Sequence, residues 1–250
     1  MDYRPDTEMA VLLRGAEALG LSLSPTETDA FATYLTELLL ASPAADLTSI
    51  RDPGEVQRRH FLESLALGRA LESLGLLERG RETRAIDIGS GAGLPGVPLR
   101  IVWPSLRLTL LEAERRKAEF LRRLISLLGL DDVQVVWARA EEMARQPGHR
   151  EAYDLALARA VAPMPVLAEL ALPFLRVGGH LATPKGERAA REVAEAARAL
   201  AECGGQVVLV EPLAVPYPGP RPTLVLVRKV SPTPERYPRR PGIPAKRPLR

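Results

Sequence analysis

Residues 84–96 read Arg84-Ala85-Ile86-Asp87-Ile88-Gly89-Ser90-Gly91-Ala92-Gly93-Leu94-Pro95-Gly96. A short apolar run, Ala85, Ile86 and Ile88, carries one acid, Asp87, and then breaks into alternating glycines. That is how a buried parallel strand ends in a turn where backbone must come close to a ligand. A side chain at Gly89, Gly91 or Gly93 would obstruct the approach or forbid the dihedrals. Beyond the turn, 94–103 is predicted to open a helix whose free N–H groups face that ligand.

Two nucleoside templates fit these residues. Asp87-x-Gly89-x-Gly91-x-Gly93 resembles the first motif of class I S-adenosylmethionine (SAM) methyltransferases. Gly91-x-Gly93-x-x-Gly96 satisfies the dinucleotide pattern, which is weak alone. The next apolar run, 106–111, ends in Glu112 about 20 residues after the glycines, where an acid accepts hydrogen bonds from both ribose hydroxyls in NAD and SAM sites alike.

The pattern downstream separates the templates. Strands are predicted at 84–88, 106–111, 133–137, 154–159, 179–184, 207–212 and 223–230, with helices at about 94–102, 114–128, 163–175 and 186–202 and a short one near 140–145. Gly129 is placed to stop the second of these helices. The last two strands are joined only by the proline-rich 214–222 and should pair antiparallel. A parallel sheet closed by an antiparallel hairpin resembles the class I methyltransferase fold, not the NAD-type sheet.

Upstream, residues 1–82 read as a helical cap. Ser24-Pro25-x-Glu27 and Asp52-Pro53-x-Glu55 are helix-start signals, and Phe31, Tyr34, Leu35, Leu38 and Leu39, then Phe61, Leu62 and Leu65, recur at helical spacing. Arg58-Arg59-His60 interrupts that stripe. Residues 83–230 form the central domain, and 231–250, with six prolines, cannot be a helix or an interior strand.

Charge is uneven. Residues 228–250 carry +7 within a chain whose net charge is +3, leaving −4 elsewhere. A basic, proline-rich terminus suits an extended arm laid on phosphates, and its removal after Val230 would then weaken RNA binding while sparing the cofactor. No run of 18 apolar residues predicts a membrane span. The opening Met-Asp-Tyr-Arg-Pro-Asp lacks the pattern of a secretory signal, and the single cysteine, Cys203, precludes an internal disulfide. A monomeric cytoplasmic protein is expected.

Several motifs follow one another along nearly the whole chain: Asp46-Leu-Thr, Arg59-His60-Phe-Leu-Glu-Ser-Leu65, Asp87 through Leu99, Leu111-Glu-Ala113 with Lys117-Ala-Glu-Phe-Leu121, Arg139-Ala-Glu141, Arg159-Ala-Val161, Lys185-Gly186 and Tyr237-Pro-Arg-Arg-Pro-Gly242. Together they resemble the small-subunit ribosomal RNA methyltransferase G family, also called glucose-inhibited division protein B. The resemblance implies a SAM-dependent enzyme, with S-adenosylhomocysteine as product, that methylates N7 of a guanine in the decoding-region loop of 16S rRNA. It places Gly89 and Leu94 on the cofactor, Glu112, Ala113 and Glu114 at its ribose, Ala140 and Glu141 at the adenine, and Arg159 at the methionine end. Glu63 stands where the family has Asp, and Leu94 where it has Phe.

The chemistry of the residues is compatible with this. The turn after strand four reads Arg159-Ala-Val-Ala-Pro163 and lacks the Asn/Asp-Pro-Pro-aromatic turn of exocyclic-amine methylation. Carbon-5 methylation needs a thiol nucleophile, and Cys203 lies at a helix end away from the strand termini. Guanine N7 has a free lone pair and no proton to lose. No His/Asp cluster suggests a metal. His60, Arg159 and Lys185 are candidates for seating the guanine. Arg58, Arg59 and Lys185, with Arg236, Arg239, Arg240, Lys246 and Arg247 of the terminus, are candidates for RNA contact. The alternatives are a different RNA or small-molecule acceptor, or a non-catalytic RNA-binding module.

Overall fold

In the computed structural model, residues 9–249 are described. The amino-terminal hexapeptide examined for a leader, and the charge of Arg250, lie outside them. Seven strands, β1 (Thr83–Ile88), β2 (Leu106–Glu112), β3 (Gln134–Trp137), β4 (Tyr153–Leu157), β5 (Leu175–Lys185), β6 (Gly205–Pro212) and β7 (Thr223–Lys229), form one sheet in the order β3-β2-β1-β4-β5-β7-β6. β1 through β5 pair in parallel, and β7 runs antiparallel between β5 and β6. This is the mostly parallel sheet with an antiparallel last strand that the sequence predicts. Because β1 lies between β2 and β4, chain order reverses there, and the carboxyl ends of the strands border a crevice.

Alternation along the strands assigns the two faces. On β7, Leu224 and Leu226 enter one apolar cluster and Val225 and Val227 the other. The first face is covered by α1 (Ala10–Ala18), α2 (Pro25–Ala45) and a long helical run of α3 (Pro53–Val56), a π-helical stretch Gln57–Leu62 and α4 (Glu63–Ser73), together with α5 (Gly96–Val102) and α6 (Arg115–Leu127). The second carries α7 (Ala140–Met143), α8 (Met164–Ala171), α9 (Ala189–Glu195) and α10 (Ala197–Cys203). The cap is therefore part of the main core, with Phe31 and Tyr34 on α2 packing their rings 5.1 and 5.0 Å from that of Phe61.

Local chemistry sets the boundaries. Ser24 and Glu27 form a reciprocal capping box, the Asp52 carboxylate accepts from the Glu55 N–H, and Gly129, at φ +63°, terminates α6. α8 is shorter than predicted and passes into a 3₁₀ turn, Leu172–Phe174, because Pro173 cannot donate into the helical ladder.

The carboxyl-terminal segment is the main departure from expectation. It is no extended arm: Tyr237 and Leu249 are buried in the second cluster. It even contains a helical turn, α11 (Ile243–Lys246), since Pro244 sits in the first turn, where a missing N–H is harmless. A proline-rich backbone is poor in donors and rich in carbonyls, and arginines supply what it lacks. Arg150 donates to the carbonyls of Thr233 and Tyr237 at 2.7 and 3.0 Å. The fully buried Lys229 donates to the carbonyls of Leu172 and Cys203 and to the Thr233 hydroxyl. Pro95 and Pro238, both in motif segments, follow cis peptide bonds.

Candidate active site

Five strand ends meet at the carboxyl edge, and two cavities open between them. The smaller, about 240 Å³, is walled by Gly89, Glu112, Ala113, Ala140 and Glu141. The larger, about 580 Å³, is walled by Arg59, Glu63, Arg159, Lys185 and Glu192. Val161 and Ala162 wall both, so the two adjoin.

Gly89, Gly91 and Gly93 have φ of +64°, +56° and +94°, which L side chains rarely adopt. A Cβ at Gly93 would lie 2.8 Å from Val97 and 3.1 Å from the Tyr34 hydroxyl. That hydroxyl donates to the Ala92 carbonyl at 2.6 Å, so the cap helix braces the glycine turn. The predicted ligand-facing N–H groups are turned inward instead. α5 starts at Gly96, whose N–H donates to Asp87 Oδ2 at 2.9 Å, and the Gly91 N–H donates to Glu112 Oε2 at 2.8 Å.

Asp87 is fully buried and walls neither cavity. Its Oδ1 has no partner, and burial, aided by the Glu112 charge, pushes its carboxyl up to about 7. The native state then holds a proton that the unfolded chain has lost. Stability therefore falls as pH rises from about 4 towards 7 and is lowest, from this group, above 7, with a slope of at most about 1.4 kcal/mol per pH unit. Asp87→Asn is expected to flatten the melting temperature between pH 5 and 8. An undiminished slope in that variant would place the titrating group elsewhere.

Glu112 is buried at the end of β2. Its Oε1 accepts from the Glu114 N–H at 2.8 Å and its Oε2 from the Gly91 N–H. Each oxygen retains a lone pair for a pair of hydroxyls in the smaller cavity. Arg159 bonds through Nη2 to Glu63 Oε2 at 2.8 Å and to the Arg59 carbonyl at 2.5 Å. Its Nη1 is buried with no partner, while the side chain as a whole walls the larger cavity; an uncommitted guanidinium donor suits an anion. The next residue, Ala160, has φ +56°, backbone strain of the kind held at binding sites. Vicinal hydroxyls at Glu112 and a carboxylate at Arg159 Nη1 are what SAM presents, so the residues fit that cofactor.

Other candidates fall differently. Gly91, Gly93, Leu94 and Glu114 wall neither cavity, and the Glu114 carboxylate pairs with Lys117 at the surface. His60 is buried, accepting from Thr48 at Nε2 (2.8 Å) and donating from Nδ1 to the Arg59 carbonyl (3.1 Å). Burial, with nearby Arg159, lowers it to about 4, so it is neutral at pH 7 and both ring nitrogens are taken within the cap. The π-helical stretch shifts the register, turning His60 inward and leaving Arg59 exposed on the cavity. Arg58 pairs with Glu55. Lys185 donates to the Ala162 carbonyl at 2.6 Å and pairs with Glu192 at 3.1 Å, so two of its three donors are spent fastening the turn after β4.

Arg239 grips the fully buried Glu169 with two prongs, at 2.9 and 2.6 Å, and is not available to RNA. Arg236, Arg240, Lys246 and Arg247 are exposed. Cys203 is buried and its thiol is pushed up to about 12 by that burial. Tyr217 had no sequence signal beyond its type; its hydroxyl donates at 2.6 Å to Oε1 of Glu63, a member of the 59–65 motif. Among the described residues no group of three or more His, Cys, Asp or Glu side chains is placed to hold a metal ion, and no helix is long and apolar enough to cross a membrane.

Sheet order and strand-end cavities give the chain the fold of the SAM-dependent methyltransferases. The fold is shared, at 20% identity and TM-score 0.50, with a SAM-dependent methyltransferase from Aquifex aeolicus, over 72% of this chain and 99% of that one. It is also shared with an MtNAS variant in complex with S-adenosylmethionine, at 19% identity and TM-score 0.54, over 91% and 84% of the two chains. Sequence carries the assignment further. Residues 27–216 match the profile of the rRNA small subunit methyltransferase G family. The proteins named ribosomal RNA small subunit methyltransferase G from Roseiflexus castenholzii and Deinococcus radiodurans are 48% and 41% identical to it, each over 96% of this chain and over 100% and 92% of their own lengths. The chain belongs to the rRNA small subunit methyltransferase G family.

Proposed function

We propose that this chain methylates N7 of a guanine in the decoding-region loop of 16S rRNA, acting as a cytoplasmic monomer. The observation that carries the reading is the state of the larger cavity. Three carboxylates wall it: Glu63 and Glu192 are each paired with a cation, Arg159 and Lys185, and Glu187 is turned out to solvent. Ion pairing occupies the two carboxylates nearest the strand ends, and N7 needs no base, because its lone pair attacks without loss of a proton.

When bound, SAM supplies a methyl group on a positively charged sulfur. The chain's part is alignment, since an in-line displacement is accelerated chiefly by holding the reacting atoms collinear. On this reading Glu112 fixes the ribose, Ala140 and Glu141 border the adenine, and Arg159 Nη1 takes the methionine carboxylate. Gly89, with no side chain and Val161 close by, leaves room where the two cavities meet. Asp87, Gly91 and Gly93 act indirectly, by shaping the turn. Arg59 walls the larger cavity, where a looped-out base would be received, and Tyr217 steadies Glu63 in that wall. The exposed Arg240, Lys246 and Arg247 offer phosphate contacts, and RNA affinity should fall steeply with salt.

The test is transfer of label from methyl-tritiated SAM to small subunits and to naked 16S rRNA, followed by digestion to nucleosides. Label in 7-methylguanosine from a single decoding-loop position is expected. Label in an exocyclic-amine or ribose-methylated nucleoside would sink the reading.

A further inference from the structure

The smaller cavity has a wall that neither motif spacing nor family resemblance indicated. Alongside Ala138–Glu141 stand Gly242, Pro244 and Ala245 of the carboxyl-terminal segment. Their position is held from both sides. The Gly242 N–H donates to Glu141 Oε1 at 2.9 Å. Three residues earlier, Arg239 is locked onto Glu169, a carboxylate with no solvent exposure that also accepts the Arg239 N–H at 2.8 Å. Pro244 is buried, whereas Ala245 remains exposed at the rim. A segment anchored by a buried ion pair does not swing freely, because separating the pair would strand a charge in the interior.

We propose that the carboxyl-terminal segment, through Gly242, Pro244 and Ala245, forms the adenine-side wall of the SAM pocket, and that Ala245 sets how large a purine edge the pocket admits. This rests on reading the smaller cavity as the adenosine site. Flat heterocycles bind between largely apolar walls with a few placed polar groups. Here Val166, Leu170 and Pro244 supply apolar surface, and Glu141, oriented by the Gly242 N–H, supplies a polar one. The segment thus serves the cofactor directly, and a deletion after Val230 removes a pocket wall as well as positive charge.

The test uses the full chain and calorimetry with SAM and S-adenosylhomocysteine. Ala245→Trp fills the rim of the cavity from an exposed position. It should weaken both ligands by at least about tenfold, as overpacking of a fitted site does, while the cofactor-free melting temperature and the affinity for an rRNA fragment stay unchanged. Independently, Ala245→Gly should gain affinity for S-adenosylhomocysteine alkylated at adenine N6, relative to the unsubstituted chain. Unchanged SAM affinity in Ala245→Trp, loss of RNA affinity alone, or no gain in Ala245→Gly would each overturn the proposal. Failure of the unsubstituted chain to bind either ligand would instead sink the adenosine-site reading beneath it.

Discussion

Glu112→Ala is expected to weaken SAM binding by at least about a hundredfold, since hydrogen bonds to a charged group contribute about 1.5–3 kcal/mol each and two to the ribose would go together. The loss is larger than for a surface acid because Glu112 also organises the turn. It holds the Gly91 and Glu114 N–H groups, one on each oxygen. Removing it leaves two inward-facing donors without an acceptor and loosens the glycine turn against β2. Glu112→Gln separates the two contributions: it keeps one carbonyl acceptor and the side chain's volume, so its loss should be intermediate. Calorimetric titration of the three proteins checks this. An alanine variant that binds SAM as tightly as the unsubstituted chain would mean that the cofactor lies elsewhere.

Arg159→Ala is expected to lower methyl transfer by two to three orders of magnitude, roughly what removal of one preorganised charged contact in a water-poor site costs. It has a structural consequence too. Glu63 would keep its bond from Tyr217 but lose its cation at a largely buried position, and an uncompensated buried charge destabilises by about 3–5 kcal/mol. The two effects can be pulled apart. Adding Glu63→Gln removes the stranded charge and should restore much of the melting temperature without restoring activity. Recovery of both would assign Arg159 a purely structural role.

Much of the site was legible because its signals are local. Strand, glycine turn and acid at the next strand end lie within thirty residues, and backbone dihedrals and sheet pleat act at that range. Gly89, Glu112, Ala113, Ala140 and Glu141 do stand together on one cavity. Asp87 belongs to the same motif, yet its carboxylate supports Gly96 from below. Motif membership signals that a residue matters without saying whether it touches the ligand.

What escaped sequence reading has a common cause. The Tyr34 bond to the glycine turn spans 58 residues, that of Glu141 to Gly242 spans 101, and that of Tyr217 to Glu63 spans 154. No periodicity links residues so far apart. His60 is a candidate for seating the guanine on residue type, but a π-helical register places it inside the cap with both nitrogens engaged. The carboxyl-terminal prolines argued for an extended arm, since only the folded body reveals the arginines that satisfy their carbonyls.

The sequence by itself determined the doubly wound sheet, the nucleoside-binding turn and the family, because those follow from short-range patterning and from motifs in order. The tertiary structure alone decided which charges are free and which are committed. It put Gly242, Pro244 and Ala245 on the wall of the smaller cavity and tied Lys185, Arg239 and His60 into the scaffold. The reason is physical: a side chain's charge and donors become available or spent only when burial and distant partners are fixed, and both are properties of the folded chain.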